Sequence, residues 1–326
     1  MKVIIPGGSG QVGTLLARAM FARGHDVVVL SRQPSPAPWQ VVAWDAQTVG
    51  DWALELEDAD AIINLAGRSV NCRYDAENRR AILESRLRST QAVGEAIGRA
   101  RRPPRVWLQA STATIYAHRL DAPNDEYTGR IGGSEVDAPD TWRFSIEVAR
   151  AWEAALDDAA TPRTRKVALR SAMVMSPDRG GIFDTLLGLV RRGLGGASGS
   201  GRQYVSWIHE TDFIAAIGWL IEHDEVAGAV NVAAPHPLPN AEFMRVLRRA
   251  WGMPVGLPAS AWMLEIGALI LRTETELVLK SRRVVPGRLL AEGFRFDFPD
   301  WSSAARDLCR RVRAGHRTLG IPPTAT

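Results

Sequence analysis

The sequence predicts a doubly wound α/β protein, a parallel sheet with helices on both faces, followed by a smaller mixed α/β region toward the C-terminus. Three observations predict it. Short β-branched runs alternate with amphipathic helical stretches up to about Ser176, and parallel strands need a covering crossover, so the alternation means parallel pairing. A glycine-rich turn, Gly7-Gly8-Ser9-Gly10-Gln11-Val12-Gly13, separates the first strand from the first helix. Beyond Ser176 the alternation gives way to the flexible loop Gly193–Gly201 and a more irregular order of elements.

The elements follow in turn. Lys2–Ile5 is a short apolar run ending in glycines. Val12–Arg23 carries Val12, Leu15, Leu16, Ala19 and Met20 on one helical face, and Gly24 stops it. Val27–Leu30 is a continuous β-branched run, as expected of a strand buried on both sides. Val41–Trp44 and Ala61–Leu65 repeat the theme. Ala76–Ala100 reads as a long helix, Val106–Ala110 as the fifth strand, Thr141–Ala159 as the next helix and Lys166–Arg170 as the sixth strand. In the second part, Gln203–Ile208 and Ala229–Ala233 read as strands and Asp212–Glu222 as a helix. Asn240 is expected to cap a helix running to Trp251. The stretch from Gly252 to about Trp301 mixes an apolar helix with an Arg-rich segment, and the tail Gly320–Thr326 is expected to be loose. These readings divide the chain at residue 175. Residues 1–175 form a nucleotide-binding domain whose sheet regains the strand near 229–233. Residues 176–326 form a substrate-side region that includes a C-terminal part at about 250–301.

Composition narrows the class. The 326 residues are 46% hydrophobic and 23% charged, ordinary for a globular chain and unlike a disordered, collagenous or disulfide-dense one. The net charge of +4 is spread along the chain, with no basic stripe interleaved with aromatics, so nucleic acid is not an expected partner. Cys72 and Cys309 are isolated, which gives neither a metal cluster nor a disulfide framework and suggests a reducing compartment. The N-terminal apolar run is too short for a signal peptide. The longest apolar stretch, Ala259–Leu271, contains Glu265 and is shorter than the about 20 residues a bilayer requires. A cytoplasmic protein without membrane partners is the expectation.

The glycine loop carries the first chemistry. Glycines at 7, 10 and 13 permit a tight turn, close approach of a pyrophosphate and close packing of helix on strand. Gly8, Ser9, Gln11 and Val12 complete the loop, and backbone N–H groups at the helix start then face the phosphates. The end of the second strand selects the dinucleotide. An acid there would hold a ribose 2′-hydroxyl, but the chain reads Leu30-Ser31-Arg32-Gln33. Arg32 can pair bidentately with a 2′-phosphate and Ser31 can donate to it, so NADP(H) is the expected cofactor. Asp45, after the third strand, is a candidate acceptor for the adenine amino group, or a cap.

The glycine loop, Asn64-Leu65-Ala66-Gly67 after the fourth strand and Ala110-Ser111-Thr112-Ala113-Thr114-Ile115-Tyr116 after the fifth together resemble an extended short-chain dehydrogenase/reductase. More closely, the chain resembles the epimerase-family branch that carries a C-terminal domain of unknown function and is sometimes labelled a sugar-nucleotide epimerase. Its signatures here are Ser85-Arg86 with Thr90, Trp152-Glu153, Ser206-Trp207-Ile208-His209, Asn231–Pro235, and Arg283-Val284-Val285-Pro286 leading to Gly293-Phe294. The likeness spans essentially the whole chain. It implies a Rossmann sheet, cofactor contacts from Leu65, Ala66, Gly67, Ser111 and Arg86, and a Ser/Thr–Tyr–Lys catalytic set.

That set is incomplete. Thr112 occupies the Ser/Thr place, but the Tyr and Lys places fall on Phe144 and Val148, which cannot transfer a proton. The four tyrosines, Tyr74, Tyr116, Tyr127 and Tyr204, are followed four residues later by Asn78, Leu120, Ile131 and Ile208, so no Tyr-x-x-x-Lys exists. Only three lysines occur at all. Thr112 and Tyr116 remain as catalytic candidates, although Tyr116 reads better as a packed aromatic, and no metal ligands are expected. Arg86 stands where related enzymes usually have Asn; it supplies a positive charge or pairs with Asp75 or Glu84. His209 with Asp212 reads better as a packed strand end and a helix start than as a base. Arg73, Arg79 and Arg80, in the polar loop Asn71–Arg80, either receive an anion or form a solvated face. Two functions follow: an NADP(H)-dependent oxidoreductase or epimerase-like enzyme for a small polar, sugar-like substrate, or a non-catalytic NADPH-binding redox sensor. A homodimer through the fourth and fifth helices is expected by fold-level analogy alone.

Overall fold

Seven parallel strands form the central sheet of the computed structural model, which describes residues 1–135, 138–259 and 276–315. They are β1 (Lys2–Pro6), β2 (Asp26–Ser31), β3 (Gln40–Ala43), β4 (Ala61–Asn64), β5 (Val106–Thr112), β6 (Arg165–Ser171) and, after an excursion, β10 (Gly228–Val232). Their spatial order is β10-β6-β5-β4-β1-β2-β3. The order reverses between β1 and β4, and that switch point opens a crevice at the carboxyl ends of the strands.

The strands lack polar alternation because both faces are covered. Val3, Ile5, Val27, Val29, Ile63, Val106 and Leu108 point to one side, against α1 (Gln11–Ala22) and α5 (Glu210–Glu222). Ile4, Val28, Leu30, Ile62 and Trp107 point to the other, against α2 (Ala76–Arg99) and α3 (Asp140–Asp157). Asp75 caps α2 by accepting from Asn78 N at 2.8 Å.

The substrate-side region has its own core. β7 (Met173–Met175) runs parallel to β9 (Trp207–His209), while β8 (Tyr204–Val205) pairs antiparallel with β11 (Leu238–Pro239). Around them pack α4 (Ile182–Arg191), α6 (Asn240–Trp251) and the last helix described, α9 (Trp301–Arg313). Trp301 lies stacked on Phe243, 4.1 Å between centroids, and its indole donates to the Phe243 carbonyl. Two short helices, α7 (Glu276–Leu279) and α8 (Gly287–Ala291), precede α9.

Two local expectations change. The run Gln203–Ile208 is not one strand. Ser206 interrupts it, its hydroxyl bonded to the Arg282 carbonyl and accepting from Val284 N at 2.9 Å, so β8 and β9 join different partners. Asn240 is the first residue of α6 rather than its cap; Pro239 holds the cap position, and the Asn240 carboxamide accepts from Ser198 N at 2.8 Å. The apolar helix expected near Ala259–Leu271 falls almost wholly outside the described residues, and the tail Gly320–Thr326 wholly outside them. No described helix is long and apolar enough to cross a membrane.

Candidate active site

The glycine loop connects β1 to α1 with no room for a side chain at Gly7, Gly8 or Gly13. Gly7 has φ 75°, and a Cβ on it would lie 2.8 Å from the Ala66 backbone. A Cβ on Gly13 would lie 2.4 Å from Gly8 Cα. Gly10 caps α1 without a side-chain hydrogen bond, and the first turn holds no acid. The helix therefore presents its unpaired N–H groups and positive dipole end to the crevice, the combination that suits a pyrophosphate. Val12 packs into the core, and the Gln11 amide lies against Gly181. The residues present fit a dinucleotide.

Ser31 ends β2 buried. Its hydroxyl lies 3.1 Å from Ser9 Oγ, 3.0 Å from the Gln33 carbonyl, and accepts from Gln33 N at 3.2 Å. These bonds tie Ser31 to the turn beyond the strand. Arg32, next along, is exposed and forms no ion pair among the described residues. Asp45 is a cap: it accepts from Gln47 N at 2.8 Å, Thr48 N at 2.9 Å and Thr48 Oγ1 at 2.6 Å, bonds that hold its carboxyl below the usual range.

After β4, Leu65 N bonds the Pro6 carbonyl at 2.9 Å and Ala66 N bonds Asn64 Oδ1 at 3.1 Å, which binds this loop to the glycine turn. Gly67 lies directly over Arg86: a Cβ there would be 3.4 Å from the guanidinium carbon. Arg86 donates to the carbonyls of Arg68 at 3.1 Å and Ile82 at 2.9 Å, and its Cζ lies 4.9 Å from the Trp152 ring centroid. It pairs with neither expected acid, since Asp75 caps α2 and Glu84 binds Arg88 at 3.0 Å. Burial pulls its guanidinium down to about 10. Trp152 in turn donates to Thr90 Oγ1 at 3.1 Å, so Arg86, Thr90 and Trp152 form one wall.

Beside that wall is a cavity of about 240 Å³, bounded by Ser111, Thr112, Phe144, Val148 and Trp152 among others. Thr112 caps the turn after β5, its oxygen accepting from Thr114 N at 3.1 Å, and its O–H stays available to the cavity. Ser111 donates to Glu153 at 2.5 Å. Phe144 and Val148 give the cavity a hydrocarbon face where the resemblance implied Tyr and Lys.

Tyr116 is not in the cavity wall, which corrects its assignment as a catalytic candidate. It is 2% exposed; its hydroxyl donates to Asn231 Oδ1 at 2.9 Å and accepts from Arg170 at 2.9 Å. The 3-10 turn Ala113–Ile115 rotates the ring inward, where burial pushes the phenol's pKa up. Tyr116→Phe is expected to cost about 1–2 kcal/mol of stability and leave dinucleotide affinity unchanged, measured by chemical denaturation and titration.

Sequence reasoning missed four cavity residues. Tyr74, from the polar loop before α2, bonds Ser145, and burial with the nearby Glu276 charge pushes its pKa up to about 12. Ser145 donates to Glu276 Oε2 at 2.5 Å. Arg282 donates to Thr114 Oγ1 at 3.0 Å and lies 4.0 Å from Glu276, as does Lys280. Lys280 is one layer behind the wall, bonded to the Thr114 carbonyl at 2.7 Å, and burial lowers it to about 8. The Tyr74 position in the polar loop Asn71–Arg80, whose arginines are candidate anion receivers, was the one available signal. Arg79, which the structure places in the first turn of α2 rather than in a loop, is committed to Asp140 and the Tyr74 carbonyl.

His209 and Asp212 are anchors. His209 caps α5 through Thr211 N at 3.1 Å and faces Asp307 at 3.3 Å, while burial lowers its imidazole to about 4. Asp212 accepts from Asp297 N and Phe298 N at 2.8 and 3.0 Å. No cluster of three or more metal-binding side chains occurs among the described residues.

A parallel sheet with a glycine loop at its switch point and a cavity beyond the end of β5 define a dinucleotide-type α/β protein. Comparison places it further: residues 3–233 match the NAD dependent epimerase/dehydratase family, and residues 259–308 match a domain of unknown function, DUF1731. The chain belongs to that epimerase/dehydratase family. It is 34% identical to the bovine (Bos taurus) epimerase family protein SDR39U1 over 314 residues, 94% of this chain and 99% of the relative. It is 30% identical over 307 residues to the epimerase family protein SSP1921 of Staphylococcus saprophyticus, covering 94% and 98%. Among solved structures it is similar to human (Homo sapiens) SDR39U1 with NADPH, at TM-score 0.82 and 32% identity, covering 95% of this chain and 99% of that one. It is also similar to a nucleoside-diphosphate sugar epimerase from Corynebacterium glutamicum, at TM-score 0.73 and 27% identity, covering 95% of this chain and 58% of that one.

Proposed function

We propose that this protein is an NADP(H)-dependent oxidoreductase or epimerase-like enzyme acting on a small polar, sugar-like substrate. The observation that carries the reading is the adjacency of two features: a glycine loop built for a dinucleotide, and a cavity with Thr112 on its wall at the end of β5. The human relative crystallised with NADPH supports the choice of cofactor, as does Arg32 standing exposed beyond β2. The α1 terminus would hold the pyrophosphate, Arg32 the 2′-phosphate, and the 65–67 loop with Ser111 would border the nicotinamide end. NADP(H), when bound, supplies or takes hydride.

The chain's own contribution is orientation and proton holding. Thr112 accepts from Thr114 N and donates to no described residue, which leaves its hydroxyl hydrogen for a substrate oxygen. Tyr74 stays protonated at neutral pH, since burial raises it, and its bond to Ser145 continues to the Glu276 carboxylate. Phe144 and Val148 exclude water from one side. The same hydrocarbon favours the second reading, a non-catalytic NADPH-binding redox sensor, because it occupies the positions where the resemblance implied Tyr and Lys.

The test is a screen for NADPH oxidation with aldehydes, ketones and sugar nucleotides, preceded by titration with NADPH and NADH. Turnover that falls about 100-fold in Thr112→Ala supports the enzyme, in line with loss of one preorganised donor. Tight NADPH binding with no turnover supports the sensor, and turnover indifferent to Thr112→Ala removes the site assignment.

A further inference from the structure

Among the described residues, the cavity carries one more cation than carboxylate. Arg86 lines it, yet among the described residues no carboxylate comes within ion-pair distance of this guanidinium. Its polar contacts among the described residues are two backbone carbonyls, and the nearest acids on its own helix are engaged elsewhere. The other cations do not release an acid to it. Arg282 and Lys280 share Glu276, each 4.0 Å from the same carboxylate oxygen. Among the described residues the cavity wall therefore holds two cations, Arg86 and Arg282, and one carboxylate, Glu276, with Lys280 behind the wall near Glu276 and Glu135. A buried charge is ordinarily paired, because leaving it unpaired away from water is costly.

The guanidinium is also held in place. Trp152 stacks beneath it, the Gly67 backbone covers it, and two carbonyls fix one amino group. The remaining donors of a planar fork suit a planar bidentate acceptor. A monoanion balances the single unpaired charge. A phosphate dianion would call on a second cation, and Arg282 is committed to Glu276 and Thr114.

We propose that Arg86 is the recognition residue for an anionic group of the substrate, and that the substrate class is a small carboxylate. This rests on the cavity being the substrate site. It names what that site accepts: a small organic acid whose carboxylate pairs with Arg86, leaving its hydroxyl or carbonyl oxygen for Thr112.

The test uses the full chain, with and without NADPH, titrated calorimetrically with lactate and 3-hydroxybutyrate, with the uncharged amides of both, and with inorganic phosphate. The expected result is saturable binding of at least one acid, with its amide at least about tenfold weaker, and phosphate weaker than the acid. Arg86→Gln is expected to weaken the acid at least about tenfold and Arg86→Lys to restore part of the loss. The acid is expected to change tryptophan fluorescence in the wild type and not in Trp152→Phe. Equal affinity for acid and amide, no binding of either acid, a preference for phosphate, or a loss of NADPH affinity in Arg86→Gln as large as the loss for the acid would each overturn the proposal. The wild-type acid and amide comparison decides even where a variant fails to fold. NADPH binding without acid binding removes this inference alone; acid binding without NADPH binding removes the cofactor reading alone.

Discussion

Arg170→Met is expected to destabilise the fold by about 3–5 kcal/mol, because it strands a buried carboxylate. Arg170, on β6, grips Glu153 of α3 with both arms, Nε to Oε1 at 2.9 Å and Nη2 to Oε2 at 2.7 Å. Both side chains are about seven-eighths buried, with 13% and 14% exposure. The same guanidinium donates to Tyr116 at 2.9 Å, whose hydroxyl continues to Asn231 on β10. Asn231 then donates to the Val285 carbonyl at 2.9 Å, and its backbone N–H donates to Glu126 at 2.7 Å. One arginine thus joins the sheet to α3 and to the segment before α8. Methionine fills comparable volume, so the loss reports charge and hydrogen bonds rather than a cavity. The reciprocal variant Glu153→Met is expected to cost a similar amount. The double variant should lie closer to wild type than either single one, since removing both charges removes the uncompensated burial. Urea denaturation at constant slope measures all three; a double variant whose loss equals the sum of the singles would mean that the pair does not act as a unit.

The family signatures acquire physical meaning in this network. Glu153 binds Arg170, Trp152 supports Arg86, Thr90 receives the Trp152 indole, and Asn231 ties Tyr116 to the 284–286 segment. None of these contacts was readable from spacing, because each joins segments 17 or more residues apart. What the sequence expressed well was local. The glycine turn, the continuous apolar strands and the long helices each reflect a repeat of a few residues, and the structure has them within a residue or two at most ends. Tyr116 shows the limit. Four residues beyond Thr112, it stood as a candidate beside its reading as a packed aromatic, and only the 3-10 turn, which aims it into the interior, decides between them. The cavity's polar side is a stronger case: Tyr74, Ser145, Glu276 and Arg282 come from separate segments, and each is an isolated polar residue with no periodicity to mark it. Ser206 broke an expected strand for the same reason, since its partners Arg282 and Val284 are remote in sequence.

Arg32→Glu is expected to weaken NADPH binding by about 100-fold or more while changing NADH affinity by less than about threefold. The guanidinium stands one residue past the end of β2, exposed and without an ion pair among the described residues, on a turn that Ser31 shapes through Ser9 and Gln33. In a doubly wound nucleotide site this is where the adenosine ribose lies. A charge-assisted bond to a phosphate contributes roughly 1.5–3 kcal/mol, which is about ten- to a hundredfold in affinity, and this much is expected from Arg32→Ala. Glutamate adds repulsion of the phosphate and offers an acceptor to a ribose 2′-hydroxyl, so it separates the two dinucleotides further than alanine does. Because Arg32 is exposed and unpaired, neither variant should alter the unfolding midpoint, and any affinity change reads recognition alone. The NADPH affinity of the wild type should also fall more steeply with salt than that of Arg32→Ala, since one cation–phosphate contact is gone in the variant. Titration of both cofactors, followed through the chain's 11 tryptophans, supplies the measurement. If NADH weakened as much as NADPH, Arg32 would not face the 2′ position, and discrimination would have to come from elsewhere on the crevice rim.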